Sequence, residues 1–120
     1  MTALMLVYQD LPRARDFLVS ALGFVEERSE TESDGALIRS HVSLGATTLL
    51  LASPGAHGVK SPRDVGGVTH LIVMTVDDVD DHFARAVNGG AEVVGPPADR
   101  PWGRDCEVRD PEGCTFNFIT

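Results

Sequence analysis

The sequence predicts an α+β fold in which one βαβββ module occurs twice. Three observations carry that expectation. Apolar runs with strand character surround one stretch of helical spacing in each half of the chain, in the same order. An aspartate opens each helical stretch, at Asp10 and Asp78, and glycine closes each, at Gly23 and at Gly89-Gly90. Aligning Asp10-Leu11 with Asp78-Val79 then superimposes strand, helix and closing glycine, which is the mark of an internal duplication.

Residues 4–8 (Leu-Met-Leu-Val-Tyr) read as a buried strand. Asp10 follows as a hydrogen-bond acceptor before Leu11-Pro12, a start suited to a helix because proline fits the first turn. Phe17, Leu18 and Leu22 keep helical spacing up to Gly23. Strands are expected at 24–30, 36–44 and 46–52, separated by the polar stretch 30–35 and by Gly45. The second half opens with a strand at 68–76 and an acidic helix start at Asp77-Asp78, the helix running to about Asn88. Strands near 91–95, 104–109 and 115–119 follow. Residues 53–67, rich in Gly, Pro and polar side chains, have the composition of a linker. The chain is thus read as one domain, 1–120, with modules at about 1–52 and 68–120. Neither module is large enough to bury a core alone, so the two are expected to share one.

The composition narrows the function classes. Hydrophobic residues at 42% and charged residues at 23% fit a globular domain rather than a disordered chain. No apolar run approaches the ~20 residues of a membrane span, so no membrane partner is expected. The N-terminal residues lack a basic region followed by an apolar stretch and a cleavage site, which reads as an unprocessed cytoplasmic chain. A net charge of −8 argues against nucleic acid, whose phosphates call for clustered Lys and Arg. The same charge serves solubility and also raises the local concentration of cationic ligands. Cys106 and Cys114 form no Cys-x-x-Cys pair and read as two reduced thiols packed in a sheet.

The stretch Pro101-Trp102-Gly103-Arg104-Asp105-Cys106-Glu107-Val108-Arg109-Asp110-Pro111-Glu112-Gly113 resembles the bleomycin-resistance branch of the vicinal oxygen chelate (glyoxalase/bleomycin resistance/dioxygenase) superfamily. Residues 10–23, ending in Ala21-Leu22-Gly23, also look like the superfamily's first module, so the resemblance spans essentially the whole chain. It implies two βαβββ modules in tandem forming a curved mixed sheet, the glyoxalase/bleomycin-resistance fold. On the residues themselves, Asp110-Pro111-Glu112-Gly113 is a tight turn, with Pro fixing φ early and Gly supplying positive φ. Arg104 and Arg109 could hold that turn by pairing with Asp105, Asp110 or Glu112.

Metal-using relatives place ligands on the first and last strands of each module. The positions that match here are Ala3, Leu50, Leu71 and Asn117, of which three have no donor atom, so no metal and no cofactor are expected. His70 is one residue from the matching place, which on a strand sends it to the opposite face. His57 and His82 read as solvated, in the linker and among the aspartates of the second helix. Arg39 and His41 share one face of the third strand and line either solvent or a cleft. Trp102, the single tryptophan, lies in the Pro/Gly-bounded stretch 95–103, either as a stacking plate for a planar ligand or as a pin holding the loop to the sheet. The resemblance favours ligand contact.

No nucleophile elbow and no phosphate-binding glycine loop is present. With these observations, the resemblance implies a metal-free protein that sequesters a planar or cationic antibiotic-like molecule in the cleft of a homodimer. Trp102 would stack, Leu50 would supply an apolar wall, and Asn117, Arg39 and His41 would be polar anchors. The alternative is a glyoxalase- or dioxygenase-like enzyme on the same scaffold.

Overall fold

Each half of the chain folds into its own four-stranded mixed sheet with one long helix, as shown by a computed structural model that describes residues 2–120. The first module comprises β1 (Leu4–Val7), α1 (Leu11–Ser20), β2 (Val25–Thr31), β3 (Leu37–Leu44) and β4 (Thr47–Ala52). A 3-10 turn (Ala56–Gly58) and the short helix α2 (Pro62–Val65) punctuate the linker. The second module comprises β5 (Ile72–Thr75), α3 (Val79–Asn88), β6 (Glu92–Arg100), β7 (Gly103–Arg109) and β8 (Thr115–Ile119). The sheet orders are β1-β4-β3-β2 and β5-β8-β7-β6, with β1 parallel to β4 and β5 parallel to β8.

The helix starts follow the sequence. Asp10 accepts the Arg13 amide at 3.2 Å, and Asp78 accepts the Asp81 amide at 3.0 Å. The strand limits depart from expectation in two places. β5 is shorter than residues 68–76, because residues 67–70 lie beside β1 of the first module before pairing begins. β6 is longer, continuing through residues 95–100, so Trp102 lies in the two-residue turn Pro101-Trp102 rather than in a long loop. That turn requires the following glycine. Gly103 has φ +136, and a Cβ there would stand 2.6 Å from the Thr120 carbonyl oxygen.

One face of each sheet turns inward onto a shared core. Leu6, Val42, Leu49 and Leu51 come from the first module, and Ile72, Met74, Phe116 and Phe118 from the second. Phe24 meets Phe116 edge-on, with ring centroids 6.3 Å apart. α1 and α3 meet where Ala21 faces Gly89, its counterpart in the duplication; a Cβ on Gly89 would lie 2.2 Å from that of Ala21. Arg85 donates to the Ser20 and Val19 carbonyls at the end of α1, at 3.1 and 3.2 Å, where a cation also suits the helix dipole.

His82 is not solvated as the sequence suggested. Its ring lies 4.3 Å from that of Phe118, and Nε2 is 2.8 Å from the Leu22 carbonyl, so packing against α1 and β8 half-buries a ring whose neighbours in sequence are acidic. Arg104 and Arg109 do not hold the 110–113 turn either. Arg104 pairs with Asp80 and Asp99, at 2.8 and 3.1 Å, and Arg109 lies 3.5 Å from Glu92. That turn is held instead by Tyr8, whose hydroxyl donates to Asp110 at 2.6 Å, and by Glu112, which accepts the Gln9 and Asp10 amides at 2.8 Å each. Asp110 also accepts the Glu112 and Cys114 amides, both at 3.0 Å. No helix among the described residues is long and apolar enough to cross a membrane.

Candidate functional site

Because strand side chains alternate, the residues between the core positions look outward from each sheet. On the second sheet these are Asn117 of β8, in register with Glu107 of β7 and Val73 of β5, and Asp105, in register with Ile119. Asp105 gathers this face. Its carboxylate accepts Asn117 Nδ2 and Arg100 Nε at 3.2 Å each, and Trp102 Nε1 at 3.4 Å. The Asn117 amide, followed by Arg100 and Trp102, holds this carboxyl below the usual carboxylate range. Asp105 is 8% exposed, whereas Trp102 is 66% exposed. The indole is therefore tethered by its N–H while its ring stands open.

Val94, Gly95, Arg100, Asp105, Glu107 and Asn117 line a pocket of about 200 Å³ on this face. The Glu107 carboxylate has no hydrogen-bond or ion-pair partner among the described residues.

The outward face of the first sheet carries the other expected residues. Met5, Leu50, His41 and Arg28 stand in one row of paired strands, and Arg39 is opposite Glu30 in the next. His41 Nε2 is buried, lies 3.6 Å from Glu30 and has no hydrogen-bond partner. The five expected site residues thus fall into two groups. Trp102 and Asn117 meet at Asp105 on one sheet, and Leu50, His41 and Arg39 share the other, each face turned away from the common core. The 200 Å³ pocket takes no wall from the first sheet.

The donors present do not fit a divalent ion. Met5 and Val73 are in register with Leu50 and Asn117, with Ala3 and Leu71 one further step along the same faces. Among these six only Asn117 carries an oxygen or nitrogen donor, and its amide nitrogen is directed to Asp105; the Met5 thioether suits soft monovalent ions instead. No group of three His, Cys, Asp or Glu suited to a metal occurs among the described residues. His70 lies outside both faces, beside β1. Cysteine nucleophiles are also disfavoured, since burial pushes Cys106 up to about 11 and Cys114 up to about 12.

Sequence reasoning treated Asp105 only as a possible partner for an arginine and missed Arg100 and Glu107. Asp105 and Glu107 alternate along β7, so a face shared with Asn117 was legible once the β7–β8 register was known.

Comparison with known proteins gives this geometry its context. The sequence profile of the Glyoxalase/Bleomycin resistance protein/Dioxygenase superfamily matches residues 1–118. The chain belongs to that superfamily. An uncharacterized protein of Mycobacterium bovis is 40% identical over 113 residues, covering 90% of this chain and 74% of its own length. A relative from Mycobacterium tuberculosis H37Rv, likewise uncharacterized, is 40% identical, and the chain spans 66% of its length. Among solved structures of this fold, TioX from Micromonospora sp. ML1 superposes with a TM-score of 0.81 at 28% identity, covering 98% of this chain and 94% of TioX. TnmS3, an antibiotic binding protein from Streptomyces sp. CB03234, superposes with a TM-score of 0.75 at 24% identity, covering 98% and 91% of the two chains. The glyoxalase/bleomycin resistance fold is therefore present over the full domain, with both βαβββ modules.

Proposed function

We propose that this superfamily member binds a planar, cationic small molecule without a metal, in a cleft formed between two copies of the chain. The observation that carries this reading is the open indole of Trp102, tethered to the same Asp105 carboxylate that lines a pocket with Asn117 and the unpaired Glu107 side chain. A flat ring system stacks on the indole, and a cationic group is drawn to Glu107. Sequestration needs only shape, apolar contact and a few polar anchors. The likeness to an antibiotic binding protein, TnmS3, supports the same reading at the level of fold.

Size and charge call for a second copy. A pocket of about 200 Å³ is smaller than the ~300–1,000 Å³ that ligand sites usually span, so one sheet face alone makes half a site. The first sheet offers what the second lacks: Leu50 and Met5 as an apolar wall, and Arg39 and His41 as donors. Setting the first face of one protomer against the second face of its partner opposes these basic groups to Asp105 and Glu107. A ligand between them would also give the orphaned His41 Nε2 a partner.

Tryptophan fluorescence tests the reading, because Trp102 is the only tryptophan. Its emission should change and saturate on titration with bleomycin or another flat cationic antibiotic. Trp102→Ala should weaken binding by ~1–3 kcal/mol while leaving the melting curve nearly unchanged. Unaltered affinity in that variant rules out the stacking role. Light scattering should give about twice the 12.8 kDa chain mass; a monomer at high concentration removes the shared cleft.

A further inference from the structure

A cavity of about 320 Å³ opens between β1 and the linker, and it shares no lining residue with the Trp102–Asp105 face. One wall is β1 from Leu4 to Tyr8, and Val59, Val65 and Val68 supply an apolar surface opposite. Its volume falls at the lower end of the ~300–1,000 Å³ typical of ligand sites.

Two polar features select the occupant. The first is the open edge of β1. This strand pairs only with β4, and the Tyr8 amide donates to the Ala52 carbonyl at 3.0 Å. Backbone groups alternate in direction along a strand, so those of Met5 and Val7 point away from β4, and they have no partner among the described residues. The cavity is therefore lined on this side by unpaired backbone groups, the N–H donors of Met5 and Val7 alternating with their carbonyls, so the choice between anion and cation falls to the charged side chain. The second feature is charge. Lys60 is the only lysine in a chain of net charge −8, and it lines this cavity together with His70 and Thr69. Neither Lys60 nor His70 makes an ion pair among the described residues.

We propose that this cavity is a second ligand site, for a small amphipathic carboxylate such as a medium-chain fatty acid. The apolar body lies against Val59, Val65 and Val68, and the carboxylate takes the Lys60 ammonium and the free amides of the β1 edge. An amine of the same length is repelled by Lys60, and an alcohol leaves that charge without a counterion. The proposal does not rest on the sheet-face reading, since the two sites have separate residues.

Titration of the ¹⁵N-labelled full chain with sodium octanoate tests it, with octanol and octylamine as controls. Octanoate should shift the Met5, Val7 and Val68 amides saturably, while the Trp102 indole N–H stays in place. Lys60→Ala should weaken octanoate binding by about threefold, in keeping with an exposed ion pair. Val65→Trp, at a residue 56% exposed, should fill the cavity and abolish the shifts without unfolding the protein, as the remaining amide spectrum would show. Equal affinity for octylamine, shifts confined to Trp102 and its neighbours, or Lys60→Ala binding like the parent would each overturn the proposal. So would the absence of saturation below about 10 mM, a concentration at which affinity carries little specificity.

Discussion

The hairpin that closes the second module is bonded to the first module, whereas the hairpin that closes the first module faces open space. Between β7 and β8, Asp110 and Glu112 reach the start of α1: Tyr8 donates to Asp110, and the Gln9 and Asp10 amides donate to Glu112. Between β3 and β4, Gly45-Ala46 carries no side-chain acceptor, and a pocket of about 400 Å³ separates it from Thr75, Asp77 and Asp78 at the start of α3. The duplicated backbone thus presents two equivalent junctions, and side chains close only one of them. The outward faces have diverged in the same way. The first carries Leu50, His41 and Arg39; the second carries Trp102, Asp105, Glu107 and Asn117. Duplication supplies the framework, and the differences between its copies supply both the lock between modules and the chemistry of the surface.

The largest effect is expected at the closed junction. Glu112→Ala leaves two backbone amides at the start of α1 without their charged acceptor and should cost about 3 kcal/mol of stability, read by denaturant unfolding. A loss below about 1 kcal/mol would mean that the latch does not hold the modules together. Next comes the point where the duplicated helices touch. Gly89→Ala forces a methyl onto Ala21 and should cost about 1–3 kcal/mol. Exchanging the pair, Ala21→Gly with Gly89→Ala, should recover part of that loss. If the double variant is no better than the single one, the clash lies with the Ala21 backbone, 2.8 Å from the added methyl, rather than with its side chain.

A smaller, pH-dependent effect belongs to His82. Burial, reinforced by the Arg85 guanidinium, lowers its proton affinity below the ordinary value of 6.5 in the folded protein. The unfolded chain therefore binds the proton more readily, and stability should decline as pH falls below 6.5 until the folded-state value is passed. His82→Gln should flatten that part of the stability–pH curve, measured by thermal melting across pH; an unchanged slope would assign the dependence to other groups. The smallest effect is expected at the open junction. Ala46→Glu adds a carboxylate to the first hairpin, but Asp77, Asp78 and Asp81 repel it, so stability should change by less than about 0.5 kcal/mol. A gain as large as the Glu112 loss would show the two junctions to be equivalent after all.

The sequence by itself determined the duplicated order of elements, the helix starts at Asp10 and Asp78 and the alternation of the strands. Each of these depends on residues close together in the chain, where capping chemistry and side-chain period act without reference to distant segments. The Pro101–Gly103 motif likewise placed Trp102 at an exposed position, though as part of a loop rather than a hairpin turn. What only the tertiary structure decided depends on segments that meet from far apart. His82 was misread because its neighbours in sequence are acidic, while its neighbours in space are Phe118 and the Leu22 carbonyl. Glu112 looked like an ordinary turn residue until its carboxylate was found on amides 102 and 103 positions away. Asp105 became the centre of its face only when the β7–β8 register set Asn117 beside it and a tight turn brought Trp102 back over it. Local physics chose the elements, and long-range packing chose which of their side chains are buried, paired or left free for a ligand.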